Sequence, residues 1–271
     1  MRAGWGAGDI TPPLGVELAG YGYYLERRAT SVDDPLFARV LALEEDGERY
    51  AALCCDALGL NASIAAQVKA HLSARWAVPA DHAMIVSIHT HTGPAFKYHE
   101  GCGQVDPDYV GRAARPMLEA CDRAFADLAE VTGLWAGSSA LSGNFAYNRA
   151  APDGPLDPLV RGFRLERHGA PPIAVASFAC HAVARGRSSA ISADYPGRVC
   201  ALLEARGFRP IYWNGLCGDI DPLPCEEAAR DARLEAFAQA IVSAYEAAQR
   251  PCPLSVSGGR LPWRLRLLPV T

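Results

Sequence analysis

His89-Thr90-His91-Thr92 ends an apolar run, Met84 to Ile88, and leads into the turn residues Gly93 and Pro94. Side chains alternate across an extended chain, so two imidazoles one residue apart at a strand end are expected to face the same way. A third histidine, His181, closes a second apolar run, Ile173 to Ala179. Neutral imidazole suits zinc, which makes His89, His91 and His181 the natural metal-ligand candidates. Asp56, Asp194, Asp219 and Asp221 lie just past apolar runs or inside glycine-bounded turns. A carboxylate there could bind metal, orient a ligand histidine or act as a base, or it could simply serve the turn. Arg149, in "GNFAYNRA", carries a permanent charge able to stabilise an oxyanion. His71, His82, His99 and His168 sit in helical or loop contexts and take no role.

These residues need elements to hold them. Leu36–Leu43 and Tyr50–Cys55 read as strands around the turn "EEDGE", and Met84–Ile88, Val131–Ala136, Val160–Leu165 and Ile173–Ala179 continue the sheet. Asn61 is placed to cap a helix running to about Trp76. Asp106 and Pro107 supply an N-cap and an N1 proline for a second helix, with Val110, Ala114, Met117, Cys121 and Phe125 on one stripe. A third helix is expected over Tyr195–Arg206, stopped by Gly207. A fourth is expected over Cys225–Gln249, with Leu234, Phe237, Ile241, Tyr245 and Ala248 on one face. Strands alternating with helices, and one short hairpin, predict an α/β layered domain with a mixed central sheet covered by helices. The tail from Leu254 starts like a further strand without a helix to complete it.

Composition limits the rest. Half of the 271 residues are apolar, enough for a sizeable core. The 26 basic and 30 acidic residues are mixed along the chain, so no basic face for nucleic acid or anionic lipid stands out. No stretch approaches the roughly 18 apolar residues of a membrane helix, and "MRAGWGAGDITPP" has no apolar run like that of a signal peptide, so a soluble, cytoplasmic chain is expected. Nine cysteines, two of them adjacent at Cys54 and Cys55, and no CxxC pair suit reduced, buried thiols better than disulfides or a cysteine zinc cluster. Five polar or glycine-rich stretches interrupt the apolar pattern: "GDITPP", "GYGYY", "HTHTGP", "FACHAVARGRSSAISADYPG" and "NGLCGDIDP". Ligands gather at loops leaving the carboxyl ends of strands, so these segments are expected to converge.

Taken in order, "GDITPP", "GYG", "DDPLFARVLAL", "CCDALGL", "VSIHTHTGPA", "YNRA", "FACHAV", "ISADYPG" and "NGLCGDIDP" resemble the N-terminal domain of the neutral, non-lysosomal ceramidase family, over about residues 3–222. The resemblance implies a zinc-dependent amidohydrolase that cleaves an N-acyl amide, with zinc on His89 and His181 and with His91 and Arg149 as catalytic residues. It departs from the family at one informative place. Where the family carries a serine in its Gly-Asp-x-Ser-Pro block, this chain reads Gly218-Asp219-Ile220-Asp221-Pro222, so Asp221 is the candidate replacement, as base or as a further ligand. The family's remaining zinc ligands, a glutamate and a tyrosine, come from beyond this point. Residues 1–271 are accordingly read as a single domain of this type lacking a C-terminal region. The substrate is expected to be ceramide or a smaller N-acyl compound, without nucleic acid or a transmembrane segment. A catalytically silent metal-binding relative, or a metal-independent hydrolase using Ser188 or Ser192 as nucleophile, are the alternatives.

Overall fold

The computed structural model describes residues 1–22, 26–151 and 153–254; the expected strand in the tail falls on residues 255–271, outside them. Thirteen strands occur among the described residues, in chain order: β1 (Arg2–Asp9), β2 (Ser31–Val32), β3 (Phe37–Glu45), β4 (Glu48–Cys55), β5 (Ala83–Ser87), β6 (Ala129–Ala140), β7 (Ala146–Asn148), β8 (Leu159–Arg167), β9 (Ala170–Phe178), β10 (Ala190–Ile191), β11 (Arg209–Asn214), β12 (Ile220–Pro222) and β13 (Arg250–Cys252). Four helices join them: α1 (Ala62–Trp76), α2 (Pro107–Ala126), α3 (Asp194–Ala205) and α4 (Arg230–Ala248). Nine strands form one mixed sheet in the order β11-β9-β8-β6-β1-β3-β4-β5, with β13 also on β6. The pairs β11/β9 and β4/β5 are parallel, and the others on this path are antiparallel. The layered α/β class expected from the alternation of patterns is the observed one.

On the continuous path of the main sheet two strands, β1 and β11, escape the sequence pattern, as do the short strands β2, β7, β10, β12 and β13. β1, "RAGWGAGD", has glycine at every second position, so one of its faces carries no apolar signal; β11, "RPIYWN", is short and carries a proline. The glycines of β1 have a structural reason. A Cβ on Gly4, Gly6 or Gly8 would stand 1.9, 2.1 and 2.1 Å from the carbonyl oxygens of Ala124, Ala120 and Pro116, three positions four residues apart on α2. That helix therefore lies on the bare backbone of β1, and no larger residue fits between them.

The expected caps form. Asn61 accepts from the Ile64 amide and Asp106 from the Tyr109 amide, each satisfying a donor left free in the first turn of its helix. On α2 the buried face centres on Ala113, Met117, Ala120 and Ala124, so Val110, expected on the stripe, lies at its margin. The expected face of α4 is buried throughout, but its α-helical part begins at Arg230 rather than Cys225, after a single 3₁₀ turn at Glu227–Ala229.

β1 meets β6 only through Arg2 and Ala3, so a narrow seam joins two half-sheets. Asp127 braces it: its carboxylate accepts from the Trp5 amide and from the buried Arg167 guanidinium, which also reaches the Ala3 carbonyl. Beyond the seam the sheet curls on itself. The Trp5 indole donates to the Pro210 carbonyl, Cys54 Sγ lies 3.0 Å from the Tyr212 carbonyl, and Asn214 Nδ2 donates to the Ile88 carbonyl at 2.9 Å. Thus β11, first in the sheet order, is stapled to the region of β4 and β5, last in it. All nine cysteines are free, five of them buried, and no helix among the described residues is long and apolar enough to cross a membrane.

Candidate metal centre

The curl brings the carboxyl ends of β5, β9 and β11 to one place. From the loop after β5 come His89 and His91, and from the loop after β9 comes His181. One ligand-capable atom from each lies within 4.8 Å of the others, with ring centroids 5.1 to 5.6 Å apart. The reason differs from the one expected. β5 ends at Ser87, and His89 lies beyond it with φ 65°, in the left-handed region that costs a non-glycine residue energy. A sharp local turn, not alternation along a strand, therefore aims the two imidazoles at common space.

The donor set fits a metal ion. His89 Nδ1 lies 2.8 Å from the Leu58 carbonyl, and His181 Nδ1 lies 3.2 Å from the Ile220 carbonyl. A carbonyl only accepts, so each Nδ1 carries the proton and each Nε2 presents a lone pair. His91 is more telling. Both of its ring nitrogens are buried and have no hydrogen-bond partner among the described residues. An orphaned imidazole in such a place calls for an electrophile or a donor that the chain does not itself provide. Burial first, then the neighbouring His89, His181 and Arg27, push its pKa down to about 3. His181 is lowered in the same direction, mainly by burial and then by the charge of Arg149. Neutral imidazoles are the ligating form.

The "YNRA" and "GDIDP" segments meet as a two-stranded ribbon, β7 against β12, with Tyr147 opposite Asp221. Asn148 Nδ2 donates to Asp219 at 2.9 Å and Arg149 Nη2 to the Gly218 carbonyl at 2.8 Å. Asp221 Oδ1 is buried, lies 3.3 Å from His181 Nδ1 and 3.6 Å from Arg149 Nη1, and accepts no hydrogen bond among the described residues. Asp221 is therefore behind His181, on the side away from the presented lone pair, and is not one of the three grouped donors. The other candidate carboxylates lie elsewhere. Asp56 pairs with Arg39 at 2.8 Å and caps the Phe37 amide, and Asp194 accepts from the amides of Ala184, Arg185 and Tyr195. Ser192 donates to Asp34 at 2.6 Å, and Ser188 accepts from the Ala190 amide. Neither serine has a histidine hydrogen-bonded to it among the described residues.

Two supporting residues were not singled out by sequence. Arg27, buried, donates to the carbonyls of Ala19, His91 and Ser188 and so ties three loops beneath the cluster. Nothing in "LERRAT" separates it from the surface residue beside it. Tyr21 packs edge-on to His91 at 5.0 Å, next to Gly20, whose φ is 85° and where a Cβ would stand 2.5 Å from the His91 ring. The "GYG" stretch is thus the wall behind His91.

The fold has solved counterparts. The crystal structure of neutral ceramidase from Pseudomonas aeruginosa superposes with a TM-score of 0.80 over 91% of this chain, at 20% identity, and a ceramidase complexed with C2 with a TM-score of 0.79 at the same coverage and identity. The chain spans 44% and 43% of those structures, so the likeness is to one part of them. No family model matches the chain, and no curated protein matches it by sequence.

Proposed function

We propose that this chain is a zinc-dependent amidohydrolase of the ceramidase-like type, acting on an N-acyl amide. The observation that carries the proposal is the triangle of imidazoles, His181 buried and His89 and His91 half-buried, two with their lone pairs fixed inward by carbonyls and one without a hydrogen-bond partner among the described residues. The shared fold with neutral ceramidase supports the choice of amide hydrolysis among the reactions such a centre could serve.

His89 and His181 would hold the ion, and His91, too weakly basic to carry a proton near neutral pH, would be the third donor. A zinc ion held there supplies Lewis acidity, polarising an amide carbonyl and lowering the pKa of water toward about 7. Water adds to the carbonyl carbon, the C–N bond breaks and a proton passes to the nitrogen, giving the carboxylic acid and the amine. Arg149 would face the oxygen as it gains negative charge. Asp221, which lies behind His181 and away from its presented lone pair, would orient and support that imidazole as a ligand. A second reading, that His91 itself handles the proton, draws on the His-x-His resemblance. The His91→Gln variant parts the two, because a ligand's loss removes metal, whereas a proton carrier's loss leaves metal in place and abolishes turnover.

Metal analysis of the purified chain, with release of fatty acid from N-acyl amides followed before and after chelation, tests the function. About one zinc per chain, and activity that disappears with chelator and returns with zinc, is the expected result. Full turnover in chelator would overturn the metal reading, and stoichiometric zinc without turnover on ceramide or smaller amides would identify a silent relative.

A further inference from the structure

A cavity of about 950 Å³ opens between the two half-sheets. Leu41, Leu43, Ala52 and Met84 line it from one half-sheet, and Phe163 and Trp213 from the other. Met84 is 44% exposed, and β5, which carries it, is last in the sheet order and pairs with β4 alone among the described residues. An apolar wall and a strand edge are thus open together, the combination that folded chains usually cover. The rim is acidic. Asp81 is exposed in the lining, and the turn between β3 and β4, next to the paired Leu43 and Tyr50 of the wall, carries the exposed Asp46 and Glu48. The one lysine of the lining, Lys69, donates to the Ala80 carbonyl at 3.2 Å.

We propose that the chain's own residues 260–267, "RLPWRLRL", occupy this gap, with Leu261, Trp263, Leu265 and Leu267 between the half-sheets and Arg264 and Arg266 toward the acidic rim. Apolar residues at every second position suit a segment that lays one face on an apolar wall and the other toward water. Residues 255–271 hold three arginines and no aspartate or glutamate, the charge opposite to that of the rim. The route is short. Cys252 of β13 pairs with Leu134 of β6, but Glu130 and Val131, further along the same edge of β6, are already taken by Arg2 and Met1. The chain past Leu254 is therefore turned off the sheet beside the start of β1. There Ala3 pairs with Leu43, and Leu43 with Tyr50, both in the lining. Neighbouring strands are about 5 Å apart, so the mouth of the gap begins within about 5–10 Å of that point. Residues 255–260 span up to about 20 Å when extended, ample for the distance. A segment so tethered meets the gap at an effective concentration of about millimolar, which favours it over a free partner or a second copy.

The test replaces Trp263 in the full chain by the photo-cross-linker p-benzoylphenylalanine, irradiates at low protein concentration and maps the linked peptides by mass spectrometry. Linkage within one chain to residues 41–43, 50–52 or 83–84 is the expected result. Linkage between two chains would give the gap to a second copy, and linkage to another face, or none, would show that this segment does not enter it; each of these overturns the proposal. A second variant reads the same contact from the other side. Leu265→Glu, which sets a charge against the apolar wall, should speed hydrogen exchange at the amides of β5, Ala83–Ser87, by about 10-fold or more, as the loss of one buried leucine implies. The amides of α2 should keep their protection and so report an intact fold. Unchanged exchange in β5 would likewise overturn the proposal.

Discussion

At the scale of single residues, the charge states around the centre follow from burial. Asp194, fully buried with φ 58°, accepts three backbone amides, yet the loss of water outweighs them and pushes its pKa up to about 6. A carboxyl that binds its proton more tightly folded than unfolded stabilises the fold at low pH. That contribution is full below the unfolded value near 3.9 and is lost as pH rises through about 6. Asp194→Asn, which keeps the shape and tolerates the left-handed backbone, should therefore be least harmful at neutral pH and relatively worse near pH 4; urea midpoints at the two values measure this. An invariant difference would show that Asp194 binds its proton equally in the folded and unfolded chain. Asp221 invites a second substitution. Its carboxylate stands behind a histidine whose Nδ1 proton is held by a carbonyl, the arrangement that raises a ligand's basicity. Asp221→Asn should weaken zinc binding by about 10-fold to 100-fold in a chelator competition. Unchanged affinity together with a slowed reaction would assign it to proton transfer alone.

At the scale of elements, α2 lies directly on the backbone of β1. The three glycines of the strand admit helix carbonyls to distances that no Cβ allows. Gly6→Ala should cost about 1–3 kcal/mol or more, since relief requires the helix to move off the strand. Gly111, inside the same helix, has open space where its Cβ would go, with nothing within 4 Å. Gly111→Ala should stabilise by about 0.5–1 kcal/mol through helix propensity alone. Chemical denaturation of the two variants gives opposite signs if the packing is as described, and equal effects would contradict it. The caps at Asn61 and Asp106 were legible in sequence because a cap is local chemistry between residues three apart. The glycine strand was not, because its meaning lies in a helix more than a hundred residues later.

At the scale of the whole molecule, the centre bridges the two half-sheets. His89 and His91 follow β5 at one end of the sheet order, and His181 follows β9 near the other. An ion bound by all three would tie these ends together, and a ligand that binds only the folded state stabilises it by mass action. Zinc at 100 times its Kd should add about 2.7 kcal/mol. For a chain of this size that raises Tm by roughly 5–10 °C. Thermal unfolding with zinc and with excess chelator measures the difference. Coincident curves would mean that the histidines do not share an ion, and a His181→Ala variant that still responded to zinc would place the ion elsewhere.

By itself the sequence determined the strongly periodic elements, the helix caps, the layered α/β class and the short set of residues able to do chemistry, because each depends on neighbours a few positions away. Even the meeting of "YNRA" with "GDIDP" was suggested only by resemblance, since nothing local requires β7 to pair with β12. Tertiary structure alone decided the rest. It put His89 in a left-handed turn beyond β5, left His91 without a partner among the described residues, set Asp221 behind His181 and paired Asp56 with Arg39 away from the site. The physical reason is the curl of the sheet. A twisted sheet with a two-residue seam can fold its first strand onto its last, and the distances that make three imidazoles a metal site follow from that closure rather than from spacing along the chain.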